Sequence, residues 1–380
     1  MYHTPNLTGL RKRHVPRRIN EGWGLQHMKL YGVDDELVMS GANLSADYFT
    51  DRQDRYHLFS SAEVTEHFWR VHKAVGEFSF LVTASTDRAG FELSWPETNS
   101  APSPLDDPAA FVKSTTSTLR PLICPPPAAA TTTKPEFADT RVYLLGQMSQ
   151  VMSPDASTEL PAMTHVLRTL SSPAYKGSSW TFTAGYFNPD PALTNLLLST
   201  ASSSTSPDGT SSGAGRKANT VITAAPEANG FYKSPGVSGM LPEAYTLLAR
   251  RFLDAVRSAD RAADISLREW RRGTVGQPGG WSYHAKGLWV TLPGEPHPSL
   301  SVVGSSNYTR RSYSLDLEAG ALVLTVLIRA AYVFPLLWLL GRRARRGLAV
   351  GGAAVEVDEG DRVARAIRDG TSGGGDALGR

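Results

Sequence analysis

Hydrophobic positions along the chain change period several times, and each change marks an element. Residues 25–31 and 37–40 alternate apolar and polar side chains, and Gly32-Val33-Asp34-Asp35 between them is rich in turn formers. That pattern predicts a β-hairpin. The period then lengthens. Val64, Phe68, Val71 and Val75 fall on one helical face, Ser60 and Glu63 form a capping box ahead of them, and Gly76 closes the run. Short apolar runs at 142–145, 180–184 and 221–224 read as strands, and Pro242 opens a helix with Ala244, Leu247, Leu248, Phe252 and Val256 on one face. Residues 281–289 and 300–303 predict a second hairpin around a Pro/Gly-rich loop, and 319–325 a strand after it. The alternation of the two periods predicts a mixed α/β fold of two related halves packed face to face.

Composition divides the chain further. Residues 1–98 carry the first half. Residues 99–136 are rich in Pro, Ala, Ser and Thr and read as a linker or surface excursion. Residues 137–325 carry the second half. Within it, 199–217 is a Ser/Gly/Thr tract without apolar periodicity, expected to be a disordered insertion. A tail at 326–380 is first apolar, then basic.

The whole chain has 380 residues, 41% hydrophobic and 20% charged, enough for two full cores. A net charge of +3 does not describe a nucleic-acid polycation, and nucleic acid is not expected as a partner. The single cysteine, Cys124, excludes an intrachain disulfide framework and a Cys-rich zinc site. No metal-ligand cluster stands out, and neither metal nor cofactor is expected.

One short pattern occurs twice. The first copy reads His27-Met28-Lys29, then Gly41-Ala42-Asn43; the second reads His284-Ala285-Lys286, then Gly304-Ser305-Ser306-Asn307. On a strand, side chains two apart share a face, so each His projects beside its Lys. Two such strands facing each other bring together two imidazoles, two ammonium groups and two Asn amides. A phosphodiester needs charge neutralisation on its oxygens, a nucleophile at phosphorus and an acid for the leaving oxygen. The paired pattern supplies all three. His27, Lys29, His284 and Lys286 are the candidate catalytic residues, and Asn43, Ser305 and Asn307 the candidate phosphate-binding ones. Asp54 and Glu318 follow the two Asn turns at matching places and are candidates to hold the imidazole Nδ1–H groups. Asp34 has Thr291 as its counterpart, which carries no charge, and is therefore expected to be structural.

These residues resemble the phospholipase D superfamily, whose members carry two HxKx4D…GSxN motifs. Within it the chain is similar to the eukaryotic mitochondrial phosphatidylglycerophosphate synthase family. Gly24-Leu25-Gln26-His27-Met28-Lys29, Ser40 to Ser45, Tyr48 to Tyr56, Ala228 to Phe231, Tyr283 to Trp289 and Asp316 to Ala319 carry the likeness, over roughly residues 1–325. The second motif of that family also lacks the later Asp. The resemblance implies a phosphatidyl transfer from CDP-diacylglycerol to glycerol 3-phosphate, releasing CMP, through a phosphohistidine. One imidazole attacks and the other protonates the leaving group; spacing leaves open which, with a lean to His27. Other phospholipase D-type phosphodiesterases, a cardiolipin-forming enzyme, and a shortened inactive chain are the competing readings. The hairpin begins so early that the first half is expected to be incomplete, lacking most of its leading sheet.

The resemblance also implies a mitochondrial, inner-membrane-associated enzyme, although no presequence is visible. After a strand at 319–325, the apolar run 326–340 reaches about 22 Å as a helix, short of the ~30 Å bilayer core. Arg329 opposes insertion by roughly 2.5–3.5 kcal/mol, and Pro335 interrupts the run. Arg342, Arg343, Arg345 and Arg346 follow. A monotopic helix with a basic collar on an anionic membrane surface fits this pattern.

Overall fold

The computed structural model describes residues 1–15, 22–86, 88–125, 140–200 and 219–325. The expected tail at 326–380, nearly all of the 199–217 insertion, and Arg17 and Arg18 lie outside these residues.

The first part of the chain builds a small antiparallel sheet from β1 (Leu30–Val33), β2 (Glu36–Ser40) and, after the two-residue β3 (Arg52–Gln53), β4 (Tyr56–Ser60), in the order β1-β2-β4. Asp34 takes a left-handed φ of 50° in the β1–β2 turn. The helix Ala62–Gly76 covers this sheet with Val64, Phe68, Val71 and Val75, the face that periodicity predicts. Its cap is Ser61, whose side chain accepts from the Val64 amide, one residue later than the Ser60 box. A separate hairpin follows, β5 (Leu81–Ala84) with β6 (Phe91–Ser94).

The stretch read as a linker contains a helix, Pro108–Ile123. Asp107 caps it by accepting from the Ala110 amide, and Pro108 stands in its first turn. Phe111, Thr115, Leu119 and Ile123 recur every four residues and are buried. The Pro, Ser and Thr content obscured that stripe. Thr115 satisfies its hydroxyl on the Phe111, Val112 and Val151 carbonyls, so a polar residue sits in the core without an orphan group.

The second part forms a seven-stranded mixed sheet from β7 (Thr140–Gln147), β8 (Ser179–Ala184), β9 (Asn219–Ala224), β10 (Ile265–Trp270), β12 (Lys286–Thr291), β13 (Leu300–Gly304) and β14 (Glu318–Thr325). The order is β10-β9-β8-β12-β13-β14-β7. β8, β9 and β10 run parallel and the remaining pairs antiparallel. Both faces of this sheet are buried. Tyr143 and Leu145 of β7 pack with Met163, Val166, Leu193, Phe252 and Val256 from the helices Glu159–Leu170, Pro191–Ser199 and Leu241–Ser258. Val142 and Leu144, on the opposite face by the period of two, pack with Met39, Phe59, Phe68 and Phe111 from the first part. The second sheet is thus the wall against which the first part folds.

Two expectations about helices and strands need correction. In the helix Leu241–Ser258, Ala249, Phe252 and Val256 are buried, whereas Ala244 and Leu247 are exposed. Its buried stripe lies in the C-terminal turns, while at its N-terminal end Pro242 is buried and Tyr245 packs on Tyr186. The predicted hairpin strand 281–289 is broken in two. β11 (Ser282–Tyr283) pairs with β3 of the first part, and only β12 joins the large sheet.

Candidate active site

His284 lies at that break. Its amide donates to the Gln53 carbonyl at 2.8 Å, and its Nδ1 donates to Asp54 Oδ2 at 2.7 Å. The first motif repeats the arrangement with the parts exchanged. The His27 amide donates to the Leu317 carbonyl at 2.9 Å, and Nδ1 donates to the Glu318 carboxylate at 2.9 and 3.0 Å. Each histidine is therefore tied, by backbone and ring together, to the acid and the preceding residue of the other part. This explains why His27 and Lys29 precede β1 rather than lie in it. The backbone at Gln26 and His27 is used in a parallel bridge to Leu317. Asp54 and Glu318 are brought to the imidazoles as expected, but crosswise.

The two lysines are almost wholly buried, Lys29 at 5% and Lys286 at 1% exposure. Lys29 Nζ donates to the His27 carbonyl at 2.7 Å, and Lys286 Nζ to the His284 carbonyl at 2.8 Å. Gly41 makes room for the second: a Cβ there would stand 2.8 Å from Lys286 Cδ and 3.0 Å from its Nζ. Thus the glycine of the first motif is shaped by the lysine of the second. Burial pushes the Lys29 ammonium down to about 7 and that of Lys286 to about 8, although Glu318 and Asp54 oppose the shift in both. Burial raises the Glu318 carboxyl, but His27, Lys29 and Ser305 outweigh it and hold the group below the ordinary glutamate value. Glu318 is thus an anion at neutral pH.

The two imidazoles differ. His284 is enclosed, and burial with Lys286 beside it pushes the ring down to about 3. Lys286 Nζ lies 2.8 Å from Nδ1 and 3.0 Å from Nε2 of the ring, and with the Nδ1 hydrogen on Asp54 the nitrogen left with a lone pair is Nε2. The rings of Tyr48 and Tyr186 stand edge-on to it, with centroids at 5.3 and 5.4 Å. His27 keeps 19% of its side chain exposed, and among the described residues its Nε2 has no hydrogen-bond partner.

The remaining predicted residues divide. Ser305 does not present a donor to a ligand. Its buried hydroxyl donates to Glu318 Oε2 at 2.5 Å and accepts from the Ala319 amide. It therefore fixes the acid that fixes His27. Asn307 has its amide oxygen buried without a hydrogen bond, and rotation of the amide would place its NH₂ at the same point as a donor. Asn43 is exposed and donates weakly to Tyr48 Oη at 3.4 Å. Asp34 stands exposed in its turn, away from these groups. Sequence reasoning missed Tyr186 and the buried Glu159 behind Glu318. Both sit outside the repeated motif, so no spacing marked them.

No family model matches the chain. Curated relatives do match. The CDP-diacylglycerol–glycerol-3-phosphate 3-phosphatidyltransferase of Saccharomyces cerevisiae is 41% identical over 332 residues, which cover 86% of this chain and 60% of that protein. That of Schizosaccharomyces pombe is 38% identical over 362 residues, covering 86% and 67%. The human protein, whose name adds "mitochondrial", is 33% identical over 346 residues, covering 86% and 56%. The chain spans about 60% of the length of the first two yeast relatives it matches. Among solved structures, the phosphatidylserine synthase of Haemophilus influenzae superposes with a TM-score of 0.50 at 19% identity, over 93% of this chain and 70% of that one. That likeness speaks for the fold alone. The paired His-x-Lys motifs and the extent of the sequence match agree: the chain belongs to the CDP-diacylglycerol–glycerol-3-phosphate 3-phosphatidyltransferase family.

Proposed function

We propose that the chain carries the catalytic centre of a phosphatidylglycerophosphate synthase, moving a phosphatidyl group from CDP-diacylglycerol to glycerol 3-phosphate. The observation that supports this best is the reciprocal pairing of two histidines with two acids, flanked by two buried lysines. Such a site neutralises a phosphoryl group and offers one imidazole to each side of phosphorus.

The difference between the imidazoles assigns their roles in this reading. His27 is the nucleophile. Glu318 holds its Nδ1–H, which keeps the Nε2 lone pair available for attack. The P–O bond to CMP breaks as the P–N bond forms, and His284 gives the leaving oxygen a proton. His284 gains that proton when the donor's diphosphate adds negative charge beside its ring, which raises its proton affinity. The glycerol 3-phosphate hydroxyl then attacks the phosphohistidine, His284 accepts its proton, and His27 is released. Lys29, Lys286 and Asn307 hold the phosphoryl oxygens.

Relatives from human, mouse and cattle carry "mitochondrial" in their names, which supports a mitochondrial location for this chain. Association with an anionic inner-membrane surface belongs to the same reading, because the donor is a lipid. No helix among the described residues is long and apolar enough to cross a membrane.

The test uses the full-length protein and CDP-diacylglycerol labelled in the phosphatidyl phosphate. Without acceptor, an acid-labile phosphoenzyme forms and CMP is released. His27→Ala abolishes the label, and His284→Ala slows its formation and turnover. Full transfer activity in either variant overturns the scheme.

A further inference from the structure

Arg52 stands closer to the chemistry than any role so far assigned to it explains. Its guanidinium lies over the Tyr48 ring, 4.4 Å from the centroid, and Nε donates to Ser282 Oγ at 2.9 Å. Tyr48 in turn places its hydroxyl 3.5 Å from His284 Nε2. Gly230 closes the same space from the other side. A Cβ on Gly230 would stand 3.0 Å from the Tyr186 hydroxyl and 3.5 Å from an Arg52 guanidinium nitrogen. An arginine nitrogen and a tyrosine hydroxyl thus both pack against the Gly230 backbone, which has no room for a side chain between them. Arg52 keeps 18% of its side chain exposed, and Tyr186 beside it is only partly buried, so solvent reaches this pair.

The neighbouring arginines are committed elsewhere. Arg55 donates to the Val302 carbonyl and Ser301 Oγ and lies over Trp289. Arg311 pairs with Asp316. Arg310 is exposed on the surface. Among the described residues the acidic partner of Arg52 is the half-exposed Asp47, held by the same Nη2 that faces Gly230, an ion pair that an incoming dianion can displace.

We propose that Arg52, with the neighbouring Tyr186 hydroxyl, forms a second anion subsite that holds the non-reacting phosphate monoester of a substrate. This rests on the phosphatidyltransfer reading above, in which two compounds carry such a group. One is CMP as it leaves; the other is glycerol 3-phosphate as it arrives. Lys29 and Lys286 are occupied by the reacting phosphoryl group, so a second phosphate beside it requires its own cation. A guanidinium meets that need, because its planar fork matches two phosphate oxygens at once. Arg52 is then a specificity-determining residue that selects a phosphorylated acceptor over free glycerol.

The experiment compares full-length wild type with Arg52→Gln, Arg52→Lys and Asp47→Asn, each checked for folding by its thermal melt. Arg52→Gln raises the KM for glycerol 3-phosphate about tenfold or more and narrows the preference over glycerol, with phosphoenzyme formation retained. Arg52→Lys falls between the two. Asp47→Asn removes the competing carboxylate and lowers that KM, a result that a merely structural role for Arg52 does not give. The inhibition constant for CMP reads the donor side in the same variants, so a change in one constant or in both identifies which phosphate is held. Calorimetric titration with inorganic phosphate reads the subsite without turnover, and Arg52→Gln weakens it. If wild type binds phosphate but transfers nothing, the proposed function fails while the subsite stands. If wild type transfers and all these constants are unchanged in Arg52→Gln, the subsite is overturned alone. Should Arg52→Gln not fold, unchanged constants in Arg52→Lys and Asp47→Asn overturn it equally.

Discussion

Glu159 allows a test of the site's electrostatics that needs no substrate. It opens the helix Glu159–Leu170, is 1% exposed, and has one carboxylate oxygen buried without a hydrogen bond. Burial, and then the charge of Glu318, push its carboxyl from 4.5 up to about 8; a hydrogen bond to Ser306 only partly opposes them. Tyr308 and Tyr313 face the same space and stay neutral there, since burial raises both hydroxyls. Glu159 is therefore a neutral acid at pH 7. A folded value above the unfolded one means that the native state binds the extra proton. Its stabilising contribution is complete below about pH 4.5 and is lost as pH rises towards about 8. Glu159→Gln keeps the neutral shape and removes the titration. Each pH unit across that window separates the variant from wild type by about 1.4 kcal/mol, so the gap grows to on the order of 5 kcal/mol by pH 8. Urea unfolding of both proteins from pH 4.5 to 9 measures it. Curves that stay parallel across this range would refute the buried-acid reasoning.

Other outcomes follow from the same geometry. Gly41→Ala pushes a methyl against the end of the Lys286 side chain, which can move; the fold survives with little change in melting temperature, while turnover falls about 10²-fold. Glu318→Gln and Asp54→Asn each lower kcat by roughly 10²–10⁴-fold by releasing an imidazole tautomer, read as CMP release, and only Glu318→Gln also blocks phosphoenzyme formation. Lys29 loses its proton near pH 7, so kcat/KM for the donor declines as pH rises from about 7 to 9, and Lys29→Arg, always charged, flattens that decline.

Local sequence determined a good deal here. The doubled His-x-Lys pattern marked the four central side chains, because residues two apart along extended chain share a face whatever surrounds them. The helix over Val64–Val75 and the buried strands were legible for the same reason: periodicity is a property of neighbours along the chain. The helix Pro108–Ile123 was not, because its stripe includes Thr115, whose hydroxyl is satisfied by the Val151 carbonyl 36 residues away. Tertiary structure alone decided the rest. That His27 answers to Glu318 and His284 to Asp54, that Gly41 shelters Lys286 and that Arg52 packs against Gly230 are contacts across the two parts, and that Ser305 serves Glu318 is set by the pairing of β13 with β14. Partners separated by up to about 290 positions have no shared period to betray them; they meet only where the first part closes over the second sheet.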